Sequence, residues 1–241
     1  MVSLRSRLMA AVVVCAAGVA VADPPRPPLR TPPPAAPAPA KKPSVVDVVA
    51  ENYREQVAQV LKAPTLAAKA TDEEFVAHPK VYDWLIDHPD RTAVAWQRMK
   101  VPCVDITDLG KGQFYWSDEN GSELAWQAVG RFENGVVWYA TGKVKGGALL
   151  PTVPVRAVAV LHAPRGEPDK DTGGATFKPT IHVYLLSDSR LATAALRVMG
   201  SNAPKMAEQG AEQLLFFFSG VARYLHKNPD KLEAALAPKK K

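Results

Sequence analysis

The fold is decided by one stretch near the C-terminus, residues 203–225, which reads APKMAEQGAEQLLFFFSGVARYL. Its second residue, a proline, suits the first turn of a helix, and Asn228-Pro229 predicts where that helix ends. Within it, Leu214 to Phe218 is apolar around more than one full turn, so neighbouring elements are expected to cover the helix on nearly every side. This apolar part is far shorter than the ~20 residues that span a bilayer, which predicts a helix enclosed by the rest of the fold.

Upstream of this helix, from Pro102 onwards, apolar and polar residues alternate as they do in strands of a half-buried sheet. Asn120-Gly121 and Asn134-Gly135 predict hairpins, because both central residues of a tight type I′ turn need a positive φ. Short turns between successive strands indicate an antiparallel meander. The predicted strands are Val104–Thr107, Gln113–Trp116, Glu123–Val129, Val136–Lys145, Val153–His162 and Thr180–Ser187.

One face of the predicted sheet carries large apolar side chains, including three of the five tryptophans. Glu123, Gln127 and Lys143 fall on the opposite face, so that face is expected to meet solvent. The inward positions are Val104, Ile106, Phe114, Trp116, Leu124, Trp126, Ala128, Val136, Trp138, Ala140, Ile181, Val183 and Leu185.

Helical patterns occupy the segment before the sheet. Ser44 followed by Asp47 is a capping-box pattern, which opens a helix that reaches about Lys62. Thr71 with Glu74 predicts a short helical turn. Further helices are predicted over Val81–Asp87, Asp90–Met99 and Ser189–Met199. Residues 44–238 are therefore expected to form a single α+β domain with about six strands.

The ends of the chain have the composition of targeting and linking segments. Residues 1–22 combine a basic start, a fifteen-residue apolar run and small residues before a cleavage site after Ala22, as in a secretory signal peptide. Residues 23–43 are rich in proline and alanine and predict a disordered linker, and residues 239–241 form a basic tail. We expect export to the periplasm or cell envelope, with secretion as the alternative. Lipidation of Cys15 is a further alternative, which Val14 disfavours.

The net charge of +6 is concentrated outside the predicted domain. Nine of the 30 basic residues, but only one of the 24 acidic residues, lie in residues 1–43 and 239–241. The linker and tail are therefore the parts expected to contact an anionic membrane or envelope surface. The domain itself is slightly acidic, which argues against a nucleic-acid partner.

Motifs that carry chemistry are not found in the sequence. It contains no nucleotide-binding loop, nucleophile elbow or paired-histidine zinc motif, so we expect no cofactor, no metal and no catalytic residue. Cys103, the only thiol left after removal of residues 1–22, lies in an apolar setting and is expected to be a buried, inert thiol.

The order of elements over residues 71–227 resembles the helix-grip superfamily: paired short helices, an antiparallel meander and a long apolar C-terminal helix. That superfamily includes the steroidogenic-acute-regulatory-related lipid-transfer domains, the polyketide aromatase/cyclases and the coenzyme Q-binding proteins. The resemblance implies a curved sheet wrapped around the C-terminal helix, with an apolar cavity between them. The usual opening strand is missing or hidden in Ala63–Ala70, and the helix Ser189–Met199 is an addition.

Such a cavity is expected to hold a lipid or another apolar molecule, and the alternative is a solid core with no ligand. Arg156, His182 and Tyr184 are the candidates for a polar contact inside the cavity. The residues expected to line it are Trp116, Trp126, Trp138, Leu214, Phe217, Phe218, Val221 and Leu225.

Three functions are compatible with these features. The first is an exported, non-enzymatic protein that binds a lipid-like molecule. The second is an enzyme of the cyclase type, which requires polar groups to converge inside the cavity. The third is an envelope interaction module with a solid core, held near its partner by the linker.

Overall fold

The computed structural model describes residues 44–119, 121–145, 152–188 and 202–237. The predicted signal peptide, linker, basic tail and Ser189–Met199 helix lie outside these residues, as does Asn120. The described helices are α1 (Glu51–Lys62), α2 (Pro79–Asp87), α3 (Pro89–Arg98), α4 (Asn202–Lys227) and α5 (Leu232–Leu236). The described strands are β1 (Leu66–Thr71), β2 (Phe75–Ala77), β3 (Thr107–Gly110), β4 (Gln113–Ser117), β5 (Glu123–Phe132), β6 (Gly135–Lys145), β7 (Thr152–His162), β8 (Ala175–Phe177) and β9 (Thr180–Leu186).

Seven of these strands form one antiparallel sheet in the order β1-β9-β7-β6-β5-β4-β3. Strands β3 to β7 and β9 correspond to the six strands of the predicted meander, and β1 extends it. The first of them is displaced, since β3 begins at Thr107, where the predicted strand Val104–Thr107 ends. The remaining two strands, β2 and β8, pair as a separate ribbon. The long helix α4 packs against the large sheet, which confirms the predicted α+β fold class. The sheet is not closed, because β1 and β3 are its two edges.

The opening strand, which we expected to be missing or hidden in Ala63–Ala70, is present as β1. It pairs with β9 over its full length, from Leu66 opposite Leu185 to Thr71 opposite Thr180. The helical turn predicted at Thr71–Glu74 is wrong: Thr71 ends β1, and the chain continues into β2, which pairs with β8 far along the sequence. Pairing with distant strands here overrides a local capping pattern.

The two faces of the large sheet pack against different helices. Its inner face, which carries Trp138, packs against α4. Its outer face is covered at one end by α1, where Val57 and Val60 are fully buried among Val137 and Val158. The predicted exposure of the outer face to solvent is therefore wrong at this end of the sheet.

A β-bulge in β5 changes which of its residues face inward. The register between β5 and β6 shifts between Ala128 and Gly130. Ala128, before the shift, lies opposite Trp138 on the inner face as predicted, although its side chain is exposed. Beyond the shift, Gly130 lies opposite Val137, so Phe132, which alternation places inward, packs in the outer cluster with Val129.

Two local turn predictions need correction. Ser44 and Asp47 form the predicted capping box, but it opens a short 3-10 turn, Val45–Val48, and α1 begins only at Glu51. The Asn134-Gly135 hairpin has no positive φ at either residue. Glycine is required there for space, because a Cβ would collide with the ring of Phe132.

Helix α4 has the predicted ends but is less enclosed than its sequence indicates. Met206 is 51% exposed and Phe216 is 54% exposed. At the other end of the helix, Arg223 pairs with Asp72 at 2.6 Å and its guanidinium lies over the ring of Phe75. The C-terminal end of α4 is therefore held in the core, whereas Met206 near its start and Phe216 in its middle leave apolar side chains exposed.

Candidate binding cavity

A cavity of about 780 Å³ lies between the inner face of the sheet and one side of α4. Five strands, β4, β5, β6, β7 and β9, contribute to it. Their contributing residues alternate along each strand, so their side chains lie on one face of the sheet. The sheet residues in the lining are Trp116, Leu124, Trp126, Trp138, Ala140, Ala157, Ala159, Val183 and Leu185.

The opposite wall is formed by α3, the segment that follows it, and α4. The indole Nε1 of Trp96 donates a hydrogen bond to the carbonyl oxygen of Phe217 at 2.9 Å, and its ring lies 5.4 Å from the ring of Phe216. This contact joins α3 to α4 beside the cavity. The remaining lining residues are Pro89, Val101, Pro102, Cys103, Val104, Ile106, Gly210, Gln213, Leu214 and Phe218.

The described part of the lining is almost entirely apolar. It contains one side-chain amide, that of Gln213, and one thiol, that of Cys103. No Asp, Glu, Lys, Arg or His side chain belongs to this described lining. Cys103 is half-buried and not buried as predicted; this partial burial raises the pKa of its thiol, which keeps the thiol neutral at neutral pH. An apolar molecule can therefore occupy the cavity without leaving a buried charge unpaired.

Most of the residues predicted to line a cavity come together at this one. Trp116, Trp126, Trp138, Leu214, Phe217 and Phe218 all belong to its lining. Their contact with a ligand remains a prediction.

The remaining two predicted lining residues, Val221 and Leu225, lie further along α4. They are 0% and 3% exposed within a packed core that includes Phe75 and Tyr82. The apolar stripe of α4 therefore serves two purposes: its first part borders a hollow and its second part fills a solid core.

The three predicted polar contacts lie on the outer face of the sheet, away from the cavity. Arg156 donates to Oε1 of Gln59 on α1 at 2.8 Å and pairs with Asp188 at 2.6 Å. His182 and Tyr184 stack on each other with ring centroids 6.4 Å apart. Since successive side chains of a strand point to opposite faces, these three side chains point away from the cavity, and none of them belongs to its described lining.

Several lining residues were not predicted. Trp96 is held beside the cavity by its hydrogen bond to Phe217, which lies 121 positions further along the chain. No local sequence pattern reveals such a contact. The position of Ala157 and Ala159 of β7 in the lining could have been predicted, because alanines alternate with valines in this strand. Small side chains on an inner face leave space that larger ones would fill.

A second cavity of about 230 Å³ lies between β1 and the N-terminal half of α4. Four residues line both this cavity and the larger one, so the two spaces adjoin. These shared residues are Val183, Leu185, Gly210 and Leu214. The side cavity is otherwise lined by Leu66, Ala68, Met206, Ala207 and Ala211.

No helix in the described part of the chain is both long and apolar enough to cross a membrane. Among the same described residues, His, Cys, Asp and Glu side chains form no group of three or more that could hold a metal ion.

No family model matches the sequence, and no curated protein is similar enough to it to count as a match. Among solved structures, a conserved protein from Geobacillus kaustophilus is similar at 12% identity and a TM-score of 0.41, over 67% of this chain and 95% of that one. Ara h 8.0201 is similar at 12% identity and a TM-score of 0.35, over 67% of this chain and 99% of that one.

The di-domain ARO/CYC StfQ from the steffimycin biosynthetic pathway is similar at 11% identity and a TM-score of 0.37. That match covers 75% of this chain and 56% of StfQ. All three TM-scores lie below 0.5, so nothing about the ligand of this chain follows from these likenesses.

Proposed function

We propose that this protein binds a lipid-like or other apolar molecule in the cavity between the sheet and α4, as a carrier and not as an enzyme. The observation that carries the proposal is the cavity itself, about 780 Å³ of space with a described lining that holds no ionisable side chain other than the Cys103 thiol. Pockets that enclose drug-sized ligands measure about 300–1,000 Å³, and this volume falls in that range.

The lining leaves large apolar side chains in contact with water, since Phe216 is 54% exposed and Val104 is 47% exposed. Contiguous apolar surface of this kind on a folded protein often marks a binding site. An apolar occupant would remove the rings of Trp116, Trp126 and Phe217 from water, which is favourable by about 25 cal/mol for each Å² buried. Gln213 and Cys103 provide hydrogen-bonding groups for one polar end of such a molecule.

The proposal is tested by filling the cavity from its floor. Ala140 lines the cavity on β6, and Ala140→Phe places an aromatic ring in the space that a ligand needs. Thr141→Phe is the matched control, because Thr141 is the next residue of the same strand, exposed and outside the lining. Binding is measured by titration with a fluorescent fatty acid and with a fluorescent sterol.

We expect the wild-type protein and Thr141→Phe to bind at least one probe, and Ala140→Phe to lose at least about tenfold in affinity, about 1.4 kcal/mol. If none of these proteins binds either probe, the proposal fails. It also fails if Ala140→Phe binds as tightly as wild type.

We also propose that residues 1–22 direct export and that residues 23–43 tether the domain in the cell envelope. The basic start, the apolar run and the small residues before Asp23 support this proposal. N-terminal sequencing of protein recovered from the envelope fraction is expected to begin at Asp23. Recovery from the cytoplasm with residues 1–22 still attached would contradict it.

Residues 23–43 and the tail 239–241 carry basic side chains, which we propose attract the protein to an anionic membrane surface. Co-sedimentation with anionic vesicles tests this, with the full mature chain compared against a chain that lacks residues 23–43 and 239–241. We expect only the full mature chain to sediment, and less so at high salt. If both chains sediment equally, the folded domain and not the linker or tail makes the membrane contact.

A further inference from the structure

Gly210 stands in the interior of α4, where glycine weakens a helix relative to alanine. Neither of the usual reasons for glycine applies at this position. Its φ is not in the left-handed region, and a Cβ built there would meet no atom within 4 Å. Gly210 is exposed, so the missing side chain leaves open space on the solvent side of α4, at a point where Gly210 lines both cavities.

The two cavities that meet at Gly210 differ in the chemistry of their linings. The larger one is rich in rings, with Trp96, Trp116, Trp126 and Trp138 and three phenylalanines of α4 in its lining. The smaller one is lined by aliphatic residues, methionine and glycine, with no aromatic ring among its described residues. Rings stack favourably on planar ligands, whereas aliphatic and methionine side chains adapt to a flexible chain.

We propose that the two cavities form one site with two arms, joined at Gly210, for a molecule that has a planar ring system and an aliphatic chain. The ring system occupies the larger arm, among the tryptophans. The chain passes Gly210 and Leu214 and enters the smaller arm between β1 and α4. This inference rests on the proposed function, because it names the class of molecule that the cavity holds.

The volumes agree with this division of the ligand. The larger arm, about 780 Å³, has room for a fused ring system, and the smaller one, about 230 Å³, has much less. Alanine side chains form much of the smaller arm, with Ala68 on β1 facing Ala207 and Ala211 on α4. A longer side chain at any of these positions would fill the arm.

The probes for the test are anthracene derivatives with no chain or with linear alkyl chains of increasing length. Their dissociation constants are measured by quenching of tryptophan fluorescence. In the wild-type protein, affinity is expected to rise about fourfold for each added methylene until the smaller arm is full, the equivalent of about 0.8 kcal/mol per group. Beyond that length the affinity is expected to level off.

Ala207→Leu fills the smaller arm without touching the larger one, since Ala207 lines only the smaller cavity. This variant is expected to bind the chainless probe as wild type does and to lose the gain with chain length. Glu208→Leu is the matched control, because it adds the same side chain to an exposed residue outside both linings. Gly210→Leu is a second variant, which closes the junction and is expected to abolish the same chain-length gain.

The outcomes separate this inference from the proposed function. If the chainless probe binds wild type but the affinity does not change with chain length, the two-arm site is overturned and the proposed binding of an apolar molecule in the larger cavity is retained. The two-arm site is also overturned if both Ala207→Leu and Gly210→Leu keep the full chain-length gain. If no probe of the series binds and the fluorescent fatty acid and sterol also fail to bind, both proposals are overturned.

Discussion

His182 lies on the outer face of the sheet, opposite Lys69 on β1 and Val160 on β7. Burial and the charge of Lys69 lower the pKa of His182 below its ordinary value of 6.5. The unfolded chain therefore binds a proton more readily than the folded one, so this histidine lowers the free energy of unfolding as the pH falls below 6.5. His182→Gln is expected to reduce the acid-side loss of stability seen in wild type.

Urea unfolding at about pH 7.5 and about pH 5.5 measures this loss in the two proteins. His162→Gln is the control, since it removes a histidine from the neighbouring strand β7, where the ring stacks on Phe132. NMR titration of Lys69→Gln adds a direct reading, because the pKa of His182 is expected to rise in that variant. An unchanged His182 pKa there would contradict the assigned role of Lys69.

At the residue scale, simple alternation predicts which strand residues reach the cavity only where the pairing is regular. Trp116, Trp126 and Trp138 lie on the inner face as predicted, because β4, β5 and β6 keep their register at these positions. Phe132 does not follow the same alternation, because the bulge between Ala128 and Gly130 shifts it by one residue and places Phe132 in the outer cluster. A bulge is set by the partner strand, so the sequence of β5 alone could not reveal it.

At the element scale, α4 contains two glycines whose surroundings are opposite. A Cβ at Gly210 would meet no atom within 4 Å, whereas a Cβ at Gly220 would come within 2.6 Å of the Trp96 ring. Alanine is the better helix former by about 1 kcal/mol, so Gly210→Ala is expected to stabilise the protein by about that amount. Gly220→Ala is expected to destabilise it by about 1–3 kcal/mol, because the side chain of Trp96 cannot retreat while it bonds to Phe217.

Chemical denaturation of the two variants beside wild type tests this pair, and each serves as the other's control for helix propensity. In a Trp96→Ala protein the ring that would collide with the new side chain is absent. Adding Gly220→Ala to that protein is therefore expected to raise its free energy of unfolding. If both single variants raise the free energy of unfolding by the same amount, the Trp96 ring does not obstruct a side chain at position 220 of α4.

Elements defined by local periodicity were predictable, and elements defined by distant pairing were not. Helix α4 has its predicted ends because its proline, its apolar stripe and Asn228-Pro229 are all local signals. Local pattern did not predict β1 or β2, because the first, Leu66–Thr71, is mostly alanine and polar residues, and the second is three residues long. Only the resemblance to the helix-grip superfamily indicated that a strand could be hidden in Ala63–Ala70. Both strands exist through their pairing with β9 and β8, which their own sequence does not encode.

For the whole molecule, the decisive feature is an interface between sheet and helix that is solid at one end and hollow at the other. At the solid end, Phe75 of β2 and Phe177 of β8 stack with ring centroids 5.6 Å apart, and Arg223 of α4 and Arg165 lie over the two rings. The C-terminal end of α4 is thus held by contacts with residues outside the cavity lining. The fold can therefore keep a cavity open without losing the position of the helix that borders it.

Cys103 allows the state of the cavity to be measured in the intact protein. The thiol lies in the lining, and burial raises its pKa, so its alkylation by iodoacetamide is expected to be slow compared with the same residue in urea. A ligand in the cavity is expected to slow the reaction further, because it covers the thiol and displaces water from it. Peptide mass spectrometry follows Cys103 separately from Cys15, the other cysteine of the chain.

The expected result is a Cys103 alkylation rate that falls with the concentration of a bound fluorescent fatty acid, with the same midpoint as the fluorescence titration. Ala140→Phe supplies the comparison: its added ring occupies the cavity permanently, so its alkylation rate is expected to be independent of the ligand. If the wild-type rate is unchanged when the probe is saturating, the bound molecule does not occupy the space beside Cys103. The cavity would then be separate from the site that the fluorescence reports, because a ligand in the described lining cannot leave this thiol equally accessible.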